Sequence, residues 1–160
     1  MKLKVFTLLS MLLMIGCATT SPDFVKEEDK GKGVVYLYTQ CNPDTDVWET
    51  GTIPTGPTVV LNNKKLGVLT VNTYAPLYLR EGTNEIKVAR NWNYGMIADV
   101  KLDIESGKTT YVEFDFGFIS GNSYDGGTIR SRLAMKPEDI ALKKITHCQL
   151  QTEIVKEQKT

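Results

Sequence analysis

Residues able to do chemistry are few in this sequence, and their spacing suits catalysis poorly. Its one histidine, His147, stands beside Cys148. That pair is too small for a zinc site, and a single histidine leaves no room for a histidine-rich metal centre or a conventional hydrolase triad. Asp44-Thr45-Asp46 opens like a calcium loop, but Trp48 occupies the next ligand position and Glu49 the place of the required glycine. Gly31-Lys32-Gly33 begins like a dinucleotide-binding turn, yet Tyr36 stands where the third glycine belongs and a strand-forming run follows instead of a helix. Gly121-Asn122-Ser123-Tyr124-Asp125 has Asp where a nucleophile elbow needs its second glycine, so Ser123 reads as a loop serine. The carboxylates at 99, 103, 113 and 115 fall on outward strand positions and read as a solvated face. The expectation is a protein that is not an enzyme, with no metal and no cofactor.

The three cysteines are more informative. Met1-Lys2-Leu3-Lys4 is a short positive segment, and residues 5–15 are apolar apart from Thr7 and Ser10. Eleven helical residues span roughly 16 Å, too short for a ~30 Å hydrocarbon core, so the stretch reads as the hydrophobic part of a secretory signal. Gly16 directly before Cys17, behind Leu13-Met14-Ile15, resembles the lipobox of bacterial lipoproteins, with Met14 in the usual leucine position. The resemblance implies that Cys17 is acylated, palmitate being such a chain, and becomes the mature N-terminus. Ala18, rather than Asp, resembles lipoproteins sorted to the outer membrane and facing the periplasm. Several acyl chains hold where one would not, since each buried CH₂ contributes ~0.8 kcal/mol.

The whole chain has 160 residues with 19 basic and 19 acidic side chains. Removing 1–16 takes away Lys2 and Lys4, leaving 17 basic against 19 acidic. A nucleic-acid binder would carry a basic face, so that class is excluded. At 24% charged and 41% hydrophobic the composition is globular, and the length suits one domain. Residues 17–30 read as a lipidated tether, polar and without period, whose thirteen residues 18–30 could extend about 45 Å.

What must position any site is a run of strands. Val34-Val35-Tyr36-Leu37-Tyr38 is β-branched and aromatic; 58–61 and 66–70 flank Asn62-Asn63, which tolerate positive φ and suit a hairpin turn. Residues 74–80 and 84–90 flank Glu81-Gly82. Met96, Ala98, Val100, Leu102 and Ile104 alternate with Ile97, Asp99, Lys101 and Asp103, and Val112, Phe114, Phe116 and Phe118 alternate beyond Ser106-Gly107. A last strand covers 128–135. Pro137, Glu138-Asp139 and Lys143-Lys144 bracket one helix whose Ile140, Leu142 and Ile145 would face the sheet. The expected fold is mainly β: an antiparallel β-sandwich of about eight strands over 31–150 with one short C-terminal helix, then a fraying polar tail at 151–160.

The run Val59-Val60-Leu61-Asn62-Asn63-Lys64-Lys65-Leu66-Gly67-Val68-Leu69, followed by Tyr74-Ala75-Pro76-Leu77-Tyr78-Leu79-Arg80-Glu81-Gly82-Thr83-Asn84, resembles PEGA-type β-sandwich domains. It is more closely similar to bacterial lipoproteins carrying domain of unknown function 2846. Here Asn62-Asn63 replaces that family's Asn/Asp-Gly turn, Glu81-Gly82 its Pro-Gly, and Asn84 its histidine. The resemblance spans about 31–145 and implies a fold and a class of envelope lipoprotein, with no activity to carry over.

With Cys17 acylated, Cys41 and Cys148 remain in an oxidising compartment, either bridged or as two thiols. If successive strands alternate in direction, the helix returns Cys148 to the side of Cys41. The same alternation gathers the loops 39–57, 71–73, 91–95 and 119–127 at one end, pointing away from the membrane, and fails if a crossover creates parallel neighbours. That end holds Trp48, Trp92, Tyr94 and Tyr124, residue types favoured at recognition surfaces. They suit contact with another envelope protein or, alternatively, stacking of Trp48 and Trp92 on a glycan; as a third reading they merely cap the sandwich.

Overall fold

The computed structural model describes residues 24, 26, 31–41, 57–89, 96–118 and 129–158. Among these, β1 (Gly33–Thr39), β2 (Thr58–Leu61), β3 (Lys64–Val68), β4 (Thr73–Leu79), β5 (Gly82–Ala89), β6 (Met96–Ile104), β7 (Thr109–Phe118) and β8 (Ile129–Lys136) precede α1 (Glu138–Ile145), β9 (Gln149–Leu150) and α2 (Thr152–Gln158). They build two sheets, ordered β8-β7-β1-β4-β9 and β3-β2-β5-β6, in a mainly β sandwich.

The turns follow from local chemistry. Asn62 and Asn63 both take positive φ (48° and 67°) between β2 and β3, where few side chains other than Asn or Gly sit without strain. Asn84 then ties this hairpin to the β4–β5 corner: its side-chain amide donates to the carbonyls of Arg80 and Gly82, and its oxygen accepts from Asn62 at 2.8 Å. Gly33 lets β1 start against the β6–β7 corner. A Cβ there would overlap the Ile104 side chain and come within 2.8 Å of the Glu105 carbonyl.

Between the sheets lies an apolar core. Val35, Leu37, Ala75, Leu77, Val112 and Phe114 from one sheet meet Val59, Leu66, Ile86, Val88, Leu102 and Ile104 from the other. The alternation in β6 is as read: Ala98, Leu102 and Ile104 are buried, Asp99, Lys101 and Asp103 exposed. A second apolar layer covers the opposite face of the larger sheet. There Val34, Tyr36, Tyr38, Tyr74 and Tyr111 pack against Ala141 and Ile145 of α1. Every residue of β1 is buried because the strand is central in its sheet and covered on both faces.

Four expectations are corrected. The sheet is not wholly antiparallel: β1 pairs in parallel with β7, and β4 with β9. Ile140 does not face the sheet but is 44% exposed; Ala141 and Ile145, four apart on one helical face, turn inward with Leu142 beside them. Glu113 is not on a solvated face: it is 2% exposed, because α1 lies over β7. Segment 151–160 is not simply a polar tail, since α2 buries Ile154 completely in the core. Gly67 in β3, at a φ of 147°, lies against it; a Cβ there would meet the Ile154 side chain at 3.4 Å, an ordinary contact.

Candidate functional site

The strand directions decide where the loops emerge. Although β1 and β7 are parallel neighbours, strands β1 to β8 still reverse in turn, because the parallel pair joins two odd-numbered strands. At one end Leu69 N–H donates to the Pro57 carbonyl, and the Thr39 hydroxyl bridges toward Thr70 and Thr73. The described chain stops at Cys41, Ala89 and Phe118 and resumes at Pro57, Met96 and Ile129, and all six positions lie at this end. Trp48, Trp92, Tyr94 and Tyr124 belong to the intervening segments and lie outside the described residues, as does Cys17.

Cys41 and Cys148 are joined at the same end by a disulfide, with Cα atoms 5.3 Å apart across 107 residues of sequence. Cys41 follows β1 directly. Cys148 sits between α1 and β9, whose Gln149 pairs with Thr73 of β4. The bridge therefore fastens the α1–β9 corner to the sheet. His147 beside it is exposed. Among the described residues no three His, Cys, Asp or Glu side chains group as a metal site would.

The best-defined assembly of functional groups lies on the outer face of the larger sheet, and sequence reasoning missed it. Neighbouring register positions on β1 and β7 stack Tyr36 on Tyr111, with ring centres 5.5 Å apart and 17° between planes. Phe24 docks edge-on against Tyr36 at 5.0 Å and Tyr74 at 5.3 Å. Two residues on, Lys26 pairs with Glu138 at 2.8 Å, and the Tyr111 hydroxyl donates to the same carboxylate oxygen at 3.1 Å. Segment 17–30, read as a free tether, is therefore fastened to the domain at these two residues. The Lys26 and Tyr111 hydrogen bonds hold the Glu138 carboxyl below the usual glutamate range. Burial, reinforced by that carboxylate, pushes the Tyr111 phenol well above the ordinary tyrosine range.

Further along, Glu113 is neutralised from both sides. Lys136 of β8 lies 3.2 Å from one carboxylate oxygen, and Lys144 of α1 donates to the other. Beside it, in register on β1, the Tyr38 hydroxyl is buried with no hydrogen-bond partner among the described residues. Burial chiefly, with Glu113 nearby, keeps this phenol neutral far above its usual value. The face packs α1 and Phe24 against the sheet. The continuous apolar run of β1 was the available signal, since a strand buried on both faces requires a layer on each.

No protein-family model matches the chain, and no curated protein does.

Proposed function

We propose that this is a non-enzymatic lipoprotein of a bacterial cell envelope, anchored through acylated Cys17, whose sandwich offers its loop-bearing end to another envelope protein. The observation that carries the reading is the cysteine accounting. Both cysteines of the globular part are consumed in one buried disulfide, which suits an oxidising compartment, and Cys17 behind its short apolar segment is left for acylation. The neutralised Glu113 and the hydrogen-bonded Glu138 leave the aromatic face to packing rather than to proton transfer.

Growth with radiolabelled palmitate tests the anchor: label should enter the wild-type chain and be lost in Cys17→Ser, and label retained in that variant overturns the reading. A photocrosslinker at Trp92, compared with one at Lys64, which opens β3 beside the Asn62-Asn63 turn, tests the role. A discrete protein adduct from Trp92 alone is expected. Equal or absent adducts overturn the protein-contact role, and tryptophan quenching by soluble saccharide would replace it with glycan binding.

A further inference from the structure

We propose that Phe24 and Lys26 form a strap that fixes both the reach and the orientation of the membrane anchor, holding the α1-covered side of the domain toward the bilayer. This rests on acylation of Cys17. The strap has two fastenings on one aromatic ladder. The Phe24 ring is clasped edge-on by Tyr36 and Tyr74, and Lys26 pairs with Glu138, which Tyr111 holds in place. Both fastenings lie on the outer face of the β8-β7-β1-β4-β9 sheet, in the layer that also contains Ala141 and Ile145 of α1.

The consequence is geometric. Without the strap, fourteen Cα–Cα steps lead from Cys17 to Gly31, where the described chain becomes continuous, and their full extension is about 50 Å. With Phe24 docked, seven such steps lead from Cys17 to its first fastening, a reach of at most ~25 Å. The shorter leash departs from the face of the sheet, not from the end at Gly31. It therefore brings α1 nearer the membrane than the β3-β2-β5-β6 sheet, which is stacked a further ~10 Å behind. The exposed Asp139, Ile140 and Lys143 of α1, with His147 in the turn after it, are then the side chains turned toward the lipid surface. The loop-bearing end lies beside the anchor's departure point instead of diametrically beyond it.

The test uses the full acylated chain in vesicles of phosphatidylethanolamine and phosphatidylglycerol containing an acceptor-labelled lipid. A donor dye is carried at Asp139 of α1 or at Lys101 of β6, both exposed. Energy transfer should be at least twofold greater from Asp139 than from Lys101, and the double variant Phe24→Ala, Lys26→Ala should bring the two toward equality. Equal transfer in the wild-type chain, or a difference that the double variant leaves unchanged, overturns the strap while the anchor stands. A chain that washes off the vesicles overturns the anchor and the strap together. Nuclear Overhauser contacts from the Phe24 ring to Tyr36 and Tyr74 in the unsubstituted chain are expected; their absence overturns the strap whatever the variants do.

Discussion

Tyr38 is the residue with the least obvious reason to be what it is. Its ring fills the layer under α1, but its hydroxyl is buried without a partner among the described residues. An unsatisfied buried hydroxyl costs about 1–3 kcal/mol, and the ring accounts for the packing. Tyr38→Phe should therefore raise unfolding stability by about 1 kcal/mol, measured by urea denaturation at pH 7. The pH dependence has a definite sign. A phenol whose folded value is raised contributes stability that is intact below its unfolded value near 10 and is lost as pH climbs above it. The wild-type chain should weaken above pH 10 more steeply than Tyr38→Phe does. Glu113 shows why residue-level reading of the sequence went astray here. Its place in an alternating strand marks a residue on the far side from the sandwich core, which is correct, but nothing local says that α1 will return to cover that side and bring Lys144 with it.

At the scale of elements, much of the architecture was legible. The positive-φ pair Asn62-Asn63, the alternation of β6, and the helix opened by Pro137 with acidic residues in its first turn and lysines in its last all take the form their residues imply. Of the three residues expected on the inward face of α1, Ile145 and Leu142 pack there and Ile140 does not; Ala141, four residues before Ile145 on the same face, takes the inward place. Helix α2 was illegible because Thr152–Gln158 is mostly polar; among its described side chains Ile154 is the one buried in the core. That concentration makes a sharp prediction. Ile154→Ala should cost about 2–4 kcal/mol, within the range for emptying a buried isoleucine site, and should raise amide exchange in α2 before the sheets. Gly67→Ala should be milder, since a Cβ there meets Ile154 only at ordinary contact and the cost is the strain of a positive φ. Gly33→Ala should be severe, because the approaching Glu105 carbonyl is backbone and cannot swing aside.

For the whole molecule, the sandwich is a three-layer stack: one sheet, a second sheet, and α1 with Phe24 upon it. The disulfide is the covalent tie between the outermost layer and the central one. By the chain-entropy model a bridge closing about a hundred residues contributes ~4.7 kcal/mol, so Cys41→Ser with Cys148→Ser should lower the melting temperature by roughly 10 °C. Scanning calorimetry with and without reductant checks this; coincident transitions would show the bridge to be energetically idle. The strand alternation legible in the sequence already returned Cys148 to the side of Cys41; the tertiary register that sets Gln149 beside Thr73 of β4 completes the approach.

The position of β1 also has a consequence in time. It is the first of the described strands to be synthesised, yet its two neighbours are β4 and β7, and the partner of Cys41 follows more than a hundred residues later. Its apolar, aromatic surface must wait for much of the chain to emerge before either edge can be satisfied. Pairings so distant in sequence close slowly, on a scale of milliseconds to seconds. On the nascent chain the newly emerged β1 is consequently a segment in need of shielding, and a stretch from which a mistimed chain would begin to aggregate.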